Sequence, residues 1–145
     1  MSADELADIE AIKQLKARYF RLMDTRQWDA WGELFTPDCR LSAEPGGGLP
    51  CTEWVGREQI VERNRAALEG SRSVHHGHMP EVEITGPTSA RGVWAMYDLL
   101  TWDGAGGRAY EGYGHYEETY EKQDGAWRIK TIRLTRLRAD VRGEW

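Results

Sequence analysis

Residues 108–138 carry the sequence RAYEGYGHYEETYEKQDGAWRIKTIRLTRLR, which predicts two long β-strands joined by a tight turn. The stretch is rich in Tyr, Thr, Ile and Trp, which strands favour, and polar and apolar residues alternate along much of it. Asp124-Gly125 stands between Tyr120 and Trp127 and is a strong two-residue hairpin signal. The stretch therefore predicts an antiparallel strand pair.

The rest of the second half continues this pattern, whereas the first half has a helical one. The predicted strands cover residues 74–84, 90–102, 108–122 and 126–138. In the first half, apolar residues recur at steps of three and four, as on one face of a helix. The predicted helices cover residues 3–23, 28–35 and 57–69, and the second stops before Pro37. Three helices followed by a four-strand meander predict an α+β fold with the helices on one face of a curved, mainly antiparallel sheet.

Glycines and prolines mark the irregular parts of this fold. The segment EPGGGLP, residues 44–50, has the composition of a mobile loop and could serve as a lid. Residues 39–41 before it are strand-like. Glycines inside the predicted strands supply the bends that a curved sheet needs, and they are Gly92, Gly112 and Gly114.

The composition predicts one soluble domain over residues 1–145. Of its 145 residues 40% are hydrophobic, and the formal charge is −5. This acidic balance argues against a nucleic-acid or anionic-membrane partner, because both need basic patches, and it favours a small-molecule partner. The N-terminal stretch MSADELADIEAIKQLKARYF is charged throughout and does not resemble a signal peptide, so we expect a cytoplasmic protein.

Aromatic residues are unevenly represented, with seven Trp and six Tyr but only two Phe. Trp and Tyr combine an apolar body with a polar tip, which suits a semi-polar cavity better than a dry core. The alternative is that several of them fill the core with their polar tips hydrogen-bonded. We expect Tyr19 and Trp94 in a pocket, and Trp28, Trp31 and Trp127 in the core.

Four residues are candidates for catalysis, and they are His75, Asp24, Tyr19 and Asp98. His75 can act as a general base near neutral pH, and a carboxylate on its other ring nitrogen, either Asp24 or Asp98, would fix its tautomer. Asp98 alternates with Trp94, Met96 and Leu100 on one strand face. A carboxylate on an apolar face must be paired or have a raised pKa, which indicates function. The alternative is that Asp98 is solvated at a strand end.

The run His75-His76-Gly77-His78 raises the question of a metal site. No further His or acid shows a recognised ligand spacing, so we expect no metal. We expect one cavity histidine and two partly exposed ones. His115 is either a cavity donor or a packed core residue. Cys39 and Cys51 form no CxxC pair and are interpreted as buried or semi-buried thiols.

Several other functional classes lack their signatures. Gly46-Gly47-Gly48 is not followed by Lys-Ser/Thr, so it is no phosphate loop, and the chain has no Gly-x-Ser-x-Gly elbow. The basic residues of the last predicted strand are interpreted as its solvated face and end rather than a polyanion site. They are Arg128, Lys130, Arg133, Arg136, Arg138 and Arg142.

Motifs along nearly the whole chain resemble the SnoaL-like branch of the nuclear transport factor 2-like superfamily. These are Tyr19-Phe20-x-x-x-Asp24, Trp28-Asp29-x-x-x-x-Leu34-Phe35-x-x-Asp38, Gly56-Arg57-Glu58-x-Ile60, His75 before Val82 and Ile84, and Tyr120-x-x-x-Asp124-Gly125-x-Trp127-Arg128-Ile129. The resemblance implies a cone of three helices wrapped by a curved mixed sheet around a deep pocket. It is strongest to members of the scytalone dehydratase, bile-acid 7α-dehydratase and lindane dehydrochlorinase type.

Those members eliminate water or HCl without a cofactor. Carried over from the resemblance, His75 would take a proton and Asp24 would orient it, while Tyr19 and Asp98 would polarise a carbonyl or assist the leaving group. Scytalone dehydratase has a second histidine where this chain has the Asp98 region, so its substrate does not transfer. The expected function is thus a cofactor-independent lyase acting on a small cyclic, polyketide-like or steroid-like substrate.

Two other functions stay open, because one fold hosts many activities. A ketosteroid-isomerase-like isomerase or a polyketide cyclase is the first alternative, and a non-catalytic small-molecule-binding module is the second. The residues expected to contact the substrate are Trp94, Met96, His115 and His76. A homodimer or homotrimer is expected as well, since the open face of such a sheet and Trp145 would suit an interface.

Overall fold

The computed structural model describes residues 1–104 and 106–145. Its helices are α1 (Ala3–Asp24), α2 (Trp28–Gly32) and α3 (Arg57–Ala67). Its strands are β1 (Phe35–Ala43), β2 (Thr52–Val55), β3 (Arg72–Gly86), β4 (Ser89–Thr101), β5 (Ala109–Gln123) and β6 (Ala126–Arg142). The N-terminal helices pack on a six-stranded, curved, open sheet, which confirms the predicted α+β cone.

The strand order in the sheet is β2-β1-β6-β5-β4-β3. The long strands β3 to β6 form the predicted antiparallel meander, and β1 runs parallel to β6 on the other side. Asp124 and Gly125 both have positive φ values, of 51° and 79°, as a tight hairpin between β5 and β6 requires. The antiparallel meander is therefore extended at β6 by strand β1, which runs parallel to it, so the sheet is mixed.

Helix α1 begins with a capping box, in which Ser2 and Glu5 bond to each other's backbone. Its apolar stripe includes Ile12, Leu15 and Leu22, which are buried. The helix ends at Asp24, as the spacing predicts to within one residue. Burial of this stripe directs the end of α1 toward β3. Asp24, the last residue of the helix, is thereby brought to the inner face of the sheet.

Alternation along β4 also follows the prediction. Trp94, Met96, Asp98 and Leu100 are all buried on the face toward the helices, whereas the residues between them are half-buried on the other face. In the register of the sheet, Asp98 lies opposite His75 of β3 and opposite Gly112 of β5. These three positions form one row across the inner face.

The first half of the chain differs from the prediction in three places. Helix α2 ends at Gly32, and Phe35 already belongs to β1, where it pairs with β6. Strand β2 was not predicted, because its four residues are too few to show a period. Cys39 is buried as expected, but Cys51 is exposed.

The glycine-rich segment 44–50 contains one small structural element, a bridge between Gly46 and Leu49. Gly114 does mark an irregularity in the sheet, at a register shift between β5 and β6, where a Cβ atom would collide with the carbonyl oxygen of Thr135. Across the described residues, no helix combines the length and the apolar character that a membrane span needs.

Candidate active site

A cavity of about 390 Å³ lies between the helices and the inner face of the sheet. Its walls are mostly apolar and aromatic, including Met23 of α1, Leu100 of β4 and Ile132 of β6. The polar side chains in this wall are few, and they include Tyr19, His75, Asp98, Tyr110, Tyr116, Arg108 and Arg136. An apolar cavity with a few converging polar groups is the usual form of a small-molecule site.

Asp24 and His75 meet at this wall. Asp24 Oδ1 is 2.7 Å from His75 Nδ1, and Asp24 Oδ2 accepts the backbone N–H of His75 at 2.8 Å. A carboxylate accepts hydrogen bonds but does not donate them, so the neutral imidazole carries its hydrogen on Nδ1 and has its lone pair on Nε2. The sequence-predicted contact between these two residues is thus present, and Nε2 is the ring atom available for chemistry.

Two residues that the sequence analysis did not select hold Asp24 in place. Ser73 Oγ donates to Asp24 Oδ1 at 2.9 Å, and Arg26 donates to Ser73 Oγ at 2.7 Å. Ser73 stands two residues before His75 on the same face of β3, so strand alternation was the signal that could have found it. Arg26 fixes the chain just after α1, where no periodic pattern exists.

Asp98 lies on the other side of the imidazole. Its Oδ2 is 3.8 Å from His75 Nε2, and its side chain is 9% exposed. Its Oδ1 is buried with no hydrogen-bond partner among the described residues. Burial raises the pKa of Asp98, against the opposing effects of His75 and Arg136. A carboxyl group of this kind is suited to carry a proton and to donate it to a ligand in the cavity.

Two tyrosines from different elements complete the polar floor of the cavity. Tyr19 of α1 and Tyr116 of β5 are both buried, with ring centroids 6.0 Å apart. Burial raises the pKa of both phenols well above the usual value, so their hydroxyls stay neutral donors. Tyr19 was predicted in the site, whereas Tyr116 was missed in favour of its neighbour His115.

A buried ion pair lies directly behind these tyrosines. Lys16 Nζ is 2.5 Å from Glu118 Oε2, and both side chains are fully buried. The same ammonium group lies 3.6 Å from the ring centre of Tyr19 and 3.8 Å from that of Tyr116. Burial lowers the pKa of Lys16 to about 8, against the opposing effect of Glu118. The pair and its two cation–π contacts therefore fix both tyrosine rings.

Four residues predicted to contact the substrate lie elsewhere. Trp94 is buried but donates its Nε1–H to Tyr120, and neither it nor Met96 lines the cavity. His76 and His115 alternate with buried neighbours that point to the inner face. Their own side chains therefore lie on the outer face of the sheet. Adjacent residues of a strand point to opposite faces, so His76 and His115 do not share the cavity with their neighbours His75 and Tyr116.

Two arginines line the cavity without having been predicted there. Arg136 was assigned to a solvated face, yet its Nε donates to the carbonyl of Glu44 at 2.8 Å and its guanidinium contacts the Tyr110 hydroxyl. Arg108 directly precedes β5 and is half-buried, so it lies where the cavity wall meets the surface, at the cavity mouth. Within the two described segments of the chain, no group of three or more His, Cys, Asp or Glu residues is arranged to hold a metal ion.

A larger, more open depression of about 780 Å³ lies between α2 and α3. Its charged side chains, such as Arg57 and Glu62, are not among the buried ones. It therefore lacks the desolvated acid and base groups that the inner cavity contains, and the inner cavity is the candidate active site.

Gly112 makes room for the Asp98 carboxyl. A Cβ atom at this position would collide with Asp98 Oδ1 and would come within 2.9 Å of the Tyr110 ring. We expect Gly112→Ala to lower the free energy of unfolding by about 1–3 kcal/mol, the usual cost of overpacking. Urea denaturation measures this loss. In an Asp98→Ala background the loss should shrink, and an equal loss in both backgrounds would contradict the assigned collision.

The architecture and this pocket define the class of the protein. Helices on a curved sheet, enclosing an apolar pocket with a polar floor, are characteristic of nuclear transport factor 2-like proteins. Within that class the chain belongs to the SnoaL-like domain family, which matches residues 4–133. The resemblance inferred from the sequence motifs is thereby confirmed.

Individual relatives carry names of enzymes. The protein named Probable cyclase FGR4, from Gibberella zeae, is 26% identical over 133 residues, which are 87% of this chain and 89% of that protein. A candidate scytalone dehydratase from Novosphingobium aromaticivorans has a TM-score of 0.86 at 20% identity, covering 100% of this chain and 94% of that one. The hexachlorocyclohexane dehydrochlorinase LinA-type3 from Novosphingobium barchaimii has a TM-score of 0.78 at 19% identity, covering 96% and 92%. These two structures establish a shared fold.

Proposed function

We propose that the protein is a cofactor-independent lyase of the dehydratase type, acting on a small cyclic substrate in the inner cavity. One observation carries this proposal: the His75 ring is held by Asp24 at Nδ1 and faces the buried Asp98 at Nε2. A base and an acid on the same cavity wall are the two groups that an elimination needs.

In the proposed step, His75 Nε2 takes a proton from a carbon next to a carbonyl group. Asp24 orients the imidazole and stabilises the imidazolium that forms, as a buried carboxylate does for histidine bases in general. The hydroxyls of Tyr19 and Tyr116 are neutral donors at the cavity floor, so either is suited to hydrogen-bond the carbonyl oxygen as negative charge develops there.

Asp98 is proposed as the acid for the leaving group. The carbon–oxygen bond of the substrate breaks, and the departing hydroxide takes the proton of the Asp98 carboxyl to leave as water. The imidazolium of His75 then returns its proton to the Asp98 carboxylate, whose Oδ2 lies 3.8 Å from Nε2. Both groups are restored, so the cycle needs no other reactant.

Relatives support an enzyme of the lyase or cyclase kind. Their names include a cyclase, a dehydratase and a dehydrochlorinase. Such reactions share proton removal from carbon in a pocket. The cyclase relative makes polyketide cyclisation the second candidate, because a base beside a carbonyl also generates the carbon nucleophile that ring closure requires.

Product analysis tests the proposal. The purified protein is incubated with a panel of cyclic β-hydroxy ketones and β-chloro ketones, and the products are followed by enone absorbance and by mass. We expect loss of one water or one HCl from at least one panel member. His75→Ala should form the same product at least about 10²-fold more slowly.

The outcomes separate the candidate functions. A product of unchanged mass with a shifted double bond would indicate an isomerase, and a new ring would indicate a cyclase. Tight binding of panel members in calorimetry, without any turnover, would overturn the lyase proposal in favour of a binding module. Equal turnover by the wild type and His75→Ala would remove this histidine from the mechanism.

A further inference from the structure

Arg108 lies against two tryptophans that, like it, line the cavity. Its guanidinium carbon is 4.3 Å from the ring centre of Trp102 and 5.0 Å from that of Trp145. The two indoles meet each other edge to face, at 5.3 Å. The backbone N–H of Trp102 bonds to the carbonyl of Arg108 at 2.9 Å, which fixes both residues at the end of the β4–β5 pair.

The guanidinium of Arg108 has a hydrogen-bonding capacity that the described residues do not use. Its Nε is buried, and none of them supplies an acceptor for it. The other cavity arginine, Arg136, is engaged by Glu44 and Tyr110, and the nearby surface Arg72 pairs with Asp103 at 3.0 Å. A buried guanidinium nitrogen without an acceptor is costly, so this group is poised to receive one.

The surroundings of Arg108 select the kind of acceptor. Apolar side chains form most of the wall of the cavity that Arg108 lines, among them Leu49, Trp54 and Leu68. A guanidinium is a planar fork of donors that matches a carboxylate with two parallel hydrogen bonds. Because indole and leucine side chains form the rest of the wall, the carboxylate that suits Arg108 is the charged end of an otherwise apolar molecule.

The spacing of residues along β4 indicates how far the carboxylate of such a molecule lies from its reacting carbon. Asp98 and Trp102 lie on the same strand line and are four residues apart, which corresponds to about 13 Å of extended chain. The Asp98 carboxyl and the Trp102 indole that contacts the guanidinium therefore start from backbone positions at the two ends of this stretch. A molecule that reaches both ends carries its charge on the order of 10 Å from its reacting carbon.

We propose that Arg108 binds a carboxylate of the substrate, so that the substrate is an apolar cyclic acid whose carboxylate faces the cavity mouth while its reacting carbon faces His75. The assignment of the reacting carbon rests on the proposed lyase function, whereas the carboxylate site stands on the geometry of Arg108 alone.

A matched pair of probes tests the site. Fluorescence titration measures the dissociation constants of 1-pyrenebutyrate and 1-pyrenebutanol, which share one apolar body and differ in charge. We expect the wild type to bind the carboxylate at least about tenfold more tightly, as a charged hydrogen bond provides. Arg108→Gln should abolish this preference while still binding the alcohol, and Arg108→Lys should keep part of it.

Arg72→Gln is the matched control, because Arg72 carries the same charge near the mouth but pairs with Asp103 at the surface. This variant should keep the full preference. Equal binding of the two probes by the wild type, binding of neither probe, or an unchanged preference in Arg108→Gln would each overturn the proposal.

The binding experiment and the turnover experiment test the two proposals separately. A wild type that shows the Arg108-dependent preference but eliminates nothing would refute the lyase and leave the carboxylate site. A wild type that eliminates water but shows no preference would refute the carboxylate site and leave the lyase.

Discussion

Replacing His75 with Ala is expected to slow the elimination reaction by about 10²–10⁴-fold, the usual contribution of a positioned general base. Asp24→Asn should cause a loss of the same order. The amide can donate a hydrogen bond to Nδ1, which would place the ring hydrogen on Nε2 and remove the lone pair that faces Asp98. Steady-state kinetics on the accepted panel substrate measures both losses.

His76→Ala is the control for this pair of variants. His76 is the adjacent residue, but its side chain is exposed on the outer face of the sheet, 5.7 Å from the ring of His78. Its replacement should leave the turnover number within about twofold, since surface changes away from the site have small effects. If Asp24→Asn kept full activity while His75→Ala lost it, Asp24 would have no part in orienting the base.

Lys16→Met is expected to lower the free energy of unfolding by about 3–5 kcal/mol, the largest single effect on stability that we expect. The variant removes one partner of a fully buried ion pair, and it leaves the Glu118 carboxylate without its cation in a desolvated position. It also removes the ammonium from the faces of Tyr19 and Tyr116. Urea denaturation at neutral pH measures the loss.

Lys130→Met provides the comparison, because Lys130 pairs with Glu121 at 2.9 Å where both side chains are substantially exposed. Its loss should cost less than about 1 kcal/mol. The double variant Lys16→Met/Glu118→Leu should recover much of the loss, since apolar residues replace a buried pair with little cost. A Lys16→Met variant as stable as the wild type would show that this pair does not stabilise the fold.

Local sequence patterns were sufficient for most of the fold. The three- and four-residue spacing gave α1 to within one residue, and the Asp124-Gly125 turn set the hairpin. Alternation around Asp98 was sufficient to place its carboxyl on the inner face, because a strand long enough to alternate fixes the direction of each side chain. The pairing of Asp24 with His75 did not follow from these local patterns, which left Asp24 and Asp98 as alternatives; it was expected only from the resemblance to the SnoaL-like family.

The missed residues depend on information that no short window contains. Which of His115 and Tyr116 faces inward depends on the parity of β5, and the sequence does not reveal that parity because Tyr113 and Tyr116 are alike in character but stand on opposite faces. Lys16 and Glu118 lie 102 positions apart, so nothing in the helix pattern indicates that this lysine is buried. In the sequence, nothing distinguishes Arg136 from the other basic residues of its strand.

The position of β6 has a consequence for how the chain assembles. It is the last strand in sequence, yet it lies inside the sheet between β1 and β5. Strand β1 can pair with its parallel neighbour only after β6 has been synthesised, so the inner wall of the cone is incomplete until then. Such distant pairing slows folding and exposes apolar surface meanwhile. The parallel pair of β1 and β6, in which Phe35 lies opposite Ile129, is therefore expected to be among the last contacts to form.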